Sequence, residues 1–466
     1  MKQQKVIPIV AAPVEQRIYP RSVKGWFNNW RWAMVWFTQL LFYGLPWITW
    51  NGRQAMLIDL EARRFHFFML SFTPQDLILL TLLLAICAFG LFLFTAVAGR
   101  VWCGYSCPQT VYSFMFQWLE YRVEGDRSKR MRRDAGPKNL DWLWRKLTKH
   151  GVWLVVSLWT GFTFVGYFTP IRTLGDEVLA GALGPWQTFW IFFYGLATYG
   201  NAGWLREKVC KYMCPYARFQ GVMFDDDTLT VTYDVARGEP RGSRARQASA
   251  AEHGLGDCIN CTLCVQVCPT GIDIRNGLQY ECINCGACVD ACNEVMDKMG
   301  YERDLIRYGT GTGLSVSRTP RQFLARLKRP RVLVYTVLLA VLGGLFLAGV
   351  WTHAPLRAEV LRDRAVMARP LDDGGIENLY RVHVTNSASE PIAVSVTVQG
   401  LPGIGLPAPE QRARIRAQGS TTLVLHARLP ADANVTQGTY PITFTIREDK
   451  PDGTTLTSES SFLVAY

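Results

Sequence analysis

The 466-residue sequence predicts a polytopic α-helical membrane protein of about five spans that carries two further domains. Its composition is 49% hydrophobic and 12% aromatic, and several apolar stretches approach the ~20 residues that cross a bilayer. Eight of the thirteen cysteines fall within 258–292, which predicts a small cysteine-rich domain. After residue 352, alternating apolar and polar residues with frequent turn signals predict a C-terminal immunoglobulin-like β-sandwich of about seven strands.

The predicted spans are 32–50, 77–97, 152–170, 186–203 and 332–351. Lysine and arginine are unevenly distributed between the segments that connect them, with six in 1–31, eleven in 98–151, eighteen in 204–331, three in 51–76 and one in 171–185. Positive residues favour the cytoplasmic side, so the N-terminus and the cysteine-rich domain are predicted to be cytoplasmic and the C-terminal domain exported. This asymmetry accounts for the net charge of +12, and the sequence gives no support for nucleic-acid binding.

The chain is therefore divided into six parts. They are a cytoplasmic N-terminal segment 1–31, a four-span membrane domain 32–224, a linker 225–254, the cysteine-rich domain 255–308, a basic return segment with the fifth span 309–351, and the exported sandwich 352–466.

The cysteine-rich domain contains the spacing typical of two [4Fe–4S] clusters. Its two runs read Cys258-x2-Cys261-x2-Cys264-x3-Cys268-Pro269 and Cys282-x2-Cys285-x2-Cys288-x3-Cys292. In two-cluster ferredoxins the last cysteine of each run binds the other cluster. Cluster one is then assigned Cys258, Cys261, Cys264 and Cys292, and cluster two Cys268, Cys282, Cys285 and Cys288. Two structural zinc sites are the weaker interpretation, because zinc does not require this full spacing twice.

A second set of cysteines occurs in two similar segments after the second and fourth predicted spans. These segments are Cys103-Gly-Tyr-Ser-Cys107-Pro and Cys210-Lys-Tyr-Met-Cys214-Pro, here called the first and second CxxxCP motifs. Their equivalent positions indicate an internal repeat. Since proline favours the first helical position, Cys107 and Cys214 are expected at helix starts, where the helix dipole favours a thiolate.

Four thiolates, with Met213 as a further sulfur donor, form a soft ligand set that favours Cu(I). Zinc and a metal-free redox dithiol remain alternatives, as does a structural role for cysteines packed at the membrane edge. The scattered histidines do not support haem ligation within the spans.

The order of these parts resembles the CcoG family of bacterial cbb3-type oxidase accessory proteins, also called FixG or RdxA. The resemblance rests on both CxxxCP motifs, the double ferredoxin run, the further span and the exported sandwich. It implies a protein of the bacterial cytoplasmic membrane that reduces Cu(II) to Cu(I) for assembly of the oxidase. Copper would bind at Cys103, Cys107, Cys210 and Cys214, and the eight cysteines of 258–292 would deliver electrons.

The resulting hypothesis is a cupric reductase whose partners are copper, an electron donor, and a copper transporter or oxidase assembly factors. A homodimer is compatible with the sequence. Two alternatives belong to other classes: a quinol-linked electron-transfer subunit of a respiratory reductase, and a membrane scaffold with structural or sensory clusters.

Overall fold

The computed structural model describes residues 17–68, 70–225, 227–245, 254–310, 328–352, 356–363, 368–386, 388, 390–408, 411–417, 419–433, 435–450 and 453–465. The chain divides into two compact units, Met1–Trp47 with Thr81–Gly344, and Ile48–Leu80 with Leu345–Tyr466. Parts of the predicted N-terminal segment, linker and return segment (1–16, 246–253 and 311–327) lie outside the described residues.

Most of the membrane domain is helical. Its helices are α1 Trp26–Gly44, α2 Leu77–Ala98, α3 Val101–Tyr105, α4 Pro108–Glu124, α5 Arg127–Ala135, α6 Leu140–Val165, α7 Ile171–Ala180, α8 Pro185–Thr198 and α9 Pro215–Met223. Short 3₁₀ turns lie at Leu45–Trp47 and Pro74–Asp76, and π-helical turns continue from α8 at Tyr199–Leu205 and Val209–Met213.

A helix occupies each of the five predicted spans, but only two are long and apolar enough to cross a membrane within the described ranges. These are α2 and a later helix, α13 Pro330–Trp351. Their exposed apolar side chains indicate a membrane protein. The first turns of α6 are charged, and α8 has only 14 residues of regular α-helix. The figure of about five spans therefore remains a prediction.

Helices α6 and α8 pack at unusually short range. A Cβ atom placed on Gly161 of α6 would lie 2.2 Å from the carbonyl oxygen of Ile191 in α8. Only glycine permits this approach. Tyr43 of α1 joins the same bundle, since its hydroxyl lies 2.8 Å from Thr160 Oγ1.

The cysteine-rich domain has little regular structure. Its elements are β6 Thr230–Tyr233, α10 Val235–Gly238, α11 Leu263–Gln266, a 3₁₀ turn Ile274–Asn276, α12 Ala287–Met299 and β7 Ile306–Gly309. Strand β6 pairs antiparallel with β7. The prediction of a linker over 225–254 is thus wrong for 230–238, because four residues of alternating Thr-Val-Thr-Tyr do not stand out within a polar stretch.

The second unit contains short hairpins and a two-sheet sandwich. The hairpin strands are β1 Thr49–Trp50, β2 Arg53–Gln54, β3 Met56–Asp59, β4 Arg64–Phe67 and β5 Leu70–Phe72. The sandwich strands are β8 Leu356–Arg362, β9 Arg369–Pro370, β10 Ile376–Asn386, β11 Ile392–Gln399, β12 Gln411–Ile415, β13 Ser420–Leu429, β14 Gly438–Glu448 and β15 Thr455–Val464.

One sheet has the order β13-β10-β8, with β9 also pairing β10, and the other has the order β12-β11-β14-β15. Alternate side chains of β10 and β14, including Tyr380, Val382 and Phe444, are fully buried between the sheets. The predicted strands around 380–385, 392–398, 421–427 and 440–446 are confirmed.

Candidate metal centres

The two CxxCxxC loops adopt the same backbone conformation. Asn260 and Asn284, at equivalent positions, both have φ of 51°. Two residues later, Thr262 and Gly286 are again left-handed, with φ of 58° and 69°, and each begins a helix. This repeated turn bends each loop so that its cysteines can face a common centre.

The first loop lines a small cavity. Its sulfur donors are Cys258, Cys261, Cys264 and Cys292, which is the set assigned to cluster one. Apolar residues complete the wall, among them Val295, Met296, Leu305 and Ile306.

A second small cavity contains the other assigned set. Its lining includes Cys268, Cys282, Cys285 and Cys288, together with Cys264 from the first loop. Cys264 therefore borders both cavities, which places them side by side.

These cavities fit iron–sulfur clusters in donor set and environment. Burial raises the pKa of Cys264 to about 11 and that of Cys282 and Cys292 to about 12. At neutral pH these thiols stay protonated until a positive metal displaces the proton. Four sulfur atoms in an otherwise apolar cavity suit such a cluster, because few other groups would be satisfied there.

The CxxxCP motifs place their second cysteines as predicted. Cys107 is the N-cap residue of α4 and Cys214 that of α9, and proline occupies the first turn of each helix. The first cysteines differ in local structure, since Cys103 lies in α3 and Cys210 in the π-helical turn Val209–Met213.

All four CxxxCP thiols lie in one neighbourhood. Each of the six pairs among them interacts electrostatically, and each interaction raises a pKa. Burial is the largest cause, and it raises the pKa of Cys103 to about 11 and that of Cys210 to about 12.

The expectation of a stabilised thiolate at a helix start is therefore wrong for Cys107 in the metal-free chain. Burial raises the pKa of Cys107 although backbone groups of Thr110 and Gln109 oppose the shift. The desolvation that raises the pKa of this thiol outweighs the helix N-terminus, which lowers it.

Across the described ranges, no group of three or more His, Cys, Asp or Glu side chains is arranged to hold one metal ion. Met213 is 61% exposed, on the solvent side of the second motif.

The first CxxxCP motif packs directly on the loop of the second cavity. A Cβ atom on Gly104 would lie 2.7 Å from the carbonyl oxygen of Ile283. The Tyr105 hydroxyl donates to the carbonyl oxygen of Cys285 at 3.3 Å. Cys103 packs against the buried group that includes Ile283 and Cys285. The two sets of cysteines are thus joined by direct contact.

Sequence reasoning missed two residues that support this arrangement. Gln220 of α9 contacts the Cys103 sulfur, with Nε2 at 3.4 Å. Asp290 of α12 accepts hydrogen bonds from the backbone N–H groups of Phe27 and Asn28, at 3.2 and 2.8 Å, and so caps α1. Both contacts are long-range in sequence, and no local pattern indicates them.

Comparison with known proteins agrees with this architecture. The chain is 39% identical over 418 residues to "Nitrogen fixation protein FixG" of Rhizobium meliloti, covering 83% of this chain and 80% of the relative. It is 37% identical to "Protein RdxB" of Cereibacter sphaeroides, covering 91% and 88%, and 38% identical to "Protein RdxA" of the same organism, covering 83% of each. The chain belongs to the FixG/RdxA family.

Family models match three regions of this FixG/RdxA-type chain. Residues 346–465 match the model described as "IG-like fold at C-terminal of FixG". Residues 205–311 match a "4Fe-4S dicluster domain", which contains all eight cavity cysteines and the second CxxxCP motif. Residues 80–125 match a "4Fe-4S binding domain" that includes the first CxxxCP motif. The protein is an iron–sulfur redox protein with two [4Fe–4S] clusters and a C-terminal immunoglobulin-like domain.

Proposed function

We propose that this protein is a cupric reductase of the bacterial cytoplasmic membrane. Its substrate Cu(II) is reduced to Cu(I) at Cys103, Cys107, Cys210 and Cys214, for assembly of a cbb3-type oxidase. The observation that carries the proposal is the contact of the first CxxxCP motif with the loop of Cys282 and Cys285. The oxidase as destination follows from the resemblance to the CcoG family.

The cluster ligands are proposed from the two cavities. Cluster one is held by Cys258, Cys261, Cys264 and Cys292, and cluster two by Cys268, Cys282, Cys285 and Cys288. When bound, the clusters supply single electrons. The chain keeps cluster two next to the CxxxCP thiols through Gly104 and Tyr105, because close packing shortens the distance between the two sites.

The CxxxCP thiols bind the reduced ion more favourably than the oxidised ion. Soft sulfur ligands prefer Cu(I), so ligation and reduction reinforce each other. Protonated thiols have to lose their protons to bind, and copper supplies the positive charge that makes this loss favourable.

The positive residues of 98–151 and 204–331 support a cytoplasmic location for this chemistry, with the sandwich in the periplasm. A copper transporter or an oxidase assembly factor is the proposed receiver of Cu(I), and the electron donor is a separate reductant.

The test compares the wild-type protein with a variant in which serine replaces all four CxxxCP cysteines. About eight irons per chain are expected in both proteins, from two four-iron clusters. Under anaerobic conditions the wild type should reduce Cu(II) and retain Cu(I), whereas the variant should do neither. Copper reduction and binding at wild-type levels in the variant would disprove the proposal.

A second candidate has support from the family match over 80–125. In that alternative the four CxxxCP cysteines hold a further iron–sulfur cluster rather than copper. The same metal analysis separates the two, because the wild type would then contain about twelve irons and the serine variant about eight.

A further inference from the structure

Arg100 occupies the junction between the three cysteine-bearing segments. It is the N-cap residue of α3 and its side chain is almost completely buried, with 3% of the residue exposed. Its Nη1 donates to the carbonyl oxygen of Tyr280, and its Nη2 donates to that of Ala217 at 2.5 Å. Its Nε has no hydrogen-bond partner among the described residues.

The two carbonyl groups belong to different redox segments. Tyr280 precedes the cluster-two cysteine Cys282 by two residues, and Ala217 follows Cys214 by three. Arg100 itself precedes Cys103 by three residues. One guanidinium group therefore ties the start of the second ferredoxin loop to both CxxxCP motifs. The rings of Tyr280 and Phe224 lie 5.7 and 5.8 Å from it.

This buried cation lacks a carboxylate partner within the described part of the chain. Burial lowers the pKa of Arg100, and the ionisable groups that would oppose that shift once deprotonated are Cys103, Cys282, Tyr280 and Cys210. A buried charge without a counter-charge is costly. Iron–sulfur and copper centres held by thiolates carry net negative charge, so metal loading at either side would supply the missing partner.

We propose that Arg100 is a positioning residue that sets the reduction potential of cluster two and holds it in register with the CxxxCP motifs. An added electron makes a thiolate-ligated cluster more negative, and the fixed positive charge of Arg100 stabilises that state. Its two hydrogen bonds keep the segments of Tyr280 and Ala217 at a constant separation. The register with a copper site rests on the proposed function, whereas the effect on the cluster does not.

The experiment is a redox titration of the full-length protein, followed by electron paramagnetic resonance. In Arg100→Gln, one of the two cluster potentials should become more negative. The expected change is about tenfold in the equilibrium constant for reduction, which is 59 mV for a one-electron couple. Arg100→Lys keeps the charge but cannot form the same two-pronged contact. In this variant the equilibrium constant for reduction of the cluster should stay within about threefold of the wild-type value. Oxidation of the clusters by added Cu(II) should become slower.

Arg130→Gln is the matched control. Arg130 is also buried, with 4% exposed, but it pairs with Glu120 at 2.8 Å, and no cysteine is among its main electrostatic neighbours. Both cluster potentials should be unchanged in this variant.

Unchanged potentials in Arg100→Gln would overturn the proposal. An equal shift in Arg100→Lys would also overturn it, because charge would then not be the cause. If Arg100→Gln fails to retain eight irons, the test rests on Arg100→Lys. A shifted cluster potential in that variant, or an unaltered rate of cluster oxidation by added Cu(II), would refute the inference. Repeating the titration in the four-serine variant separates this effect from copper reduction, since the shift should persist there.

Discussion

The two CxxxCP motifs share a sequence pattern but lie in different surroundings. In the first motif, Gly104 and Tyr105 contact the loop of cluster two. In the second motif, the equivalent positions hold Lys211 and Tyr212, and Tyr212 and Met213 are 64% and 61% exposed. Both motifs end with an N-cap cysteine before a proline.

This difference separates two requirements of a site that reduces a metal ion. Under the proposed function, electrons need a short, packed route, and the contacts of Gly104 and Tyr105 would suit one. A metal ion would need access from solvent or from a partner protein, and Tyr212 and Met213 of the second motif are exposed. The repeat thus supports the proposed function through the unequal roles of its copies.

The largest expected effect comes from Gly104→Val. Its Cβ would lie within 3.1 Å of backbone atoms of Ile283, Asn284 and Cys285, which cannot all move aside. We expect a loss of about 1–3 kcal/mol of stability from overpacking and loss of about four irons per chain. Iron analysis and thermal unfolding in detergent measure the two effects.

Lys211→Val is the matched change in the second motif. It should leave the iron content near eight, because position 211 already accommodates a long side chain, whereas position 104 has no room for a Cβ atom. Equal loss of iron in both variants would mean that the two motifs do not differ as the contacts indicate.

The next effect is the pH dependence of Cu(I) binding. With the pKa of Cys103 raised to about 11 and that of Cys210 to about 12, both thiols are protonated at neutral pH and must release protons on binding. Affinity should fall as pH falls, by about tenfold per pH unit for each proton released. Competition with a Cu(I) chelator between pH 6 and 9 measures the slope.

Single variants sharpen this result. Cys103→Ser and Cys210→Ser should each reduce the slope by about one proton if both motifs form one site. If the slope changes in only one of the two variants, copper binds at the motif that contains the cysteine replaced in that variant.

The smallest effect is expected at Met213. Because this side chain is mostly exposed, Met213→Ser should change the Cu(I) affinity by less than about threefold, while transfer of Cu(I) to a chelator slows. Ser106→Met makes the reciprocal exchange in the first motif. It should alter neither the Cu(I) affinity nor the rate of Cu(I) transfer to the chelator. A loss of affinity above tenfold in Met213→Ser would instead identify Met213 as a principal ligand.

Local patterns in the sequence predicted the features that depend on local geometry. The spacing of the eight cysteines predicted two groups, and the members of each group line one cavity, although Cys264 borders the second cavity as well. The proline after Cys107 and Cys214 predicted their N-cap positions. The alternation of apolar and polar residues predicted the sandwich strands, because this pattern also depends only on local geometry.

Features that depend on burial or on distant contacts were not predictable in this way. The thiol pKa values were expected to fall because the helix terminus is visible in sequence, whereas the desolvation that raises them is not. The pairing of β6 with β7 joins segments over 70 residues apart, and the contact of Gly104 with Ile283 spans an even longer interval.

The capping of α1 by Asp290 has a consequence for how the protein is made. Asp290 lies in the sequence between Cys288 and Cys292, and it is 263 residues from Phe27, whose N–H group it caps. During synthesis α1 therefore leaves the ribosome long before its cap exists. The N-terminal cap of the first helix therefore forms only once the second cysteine run is in place, so the start of α1 gains this stabilisation from a segment made much later.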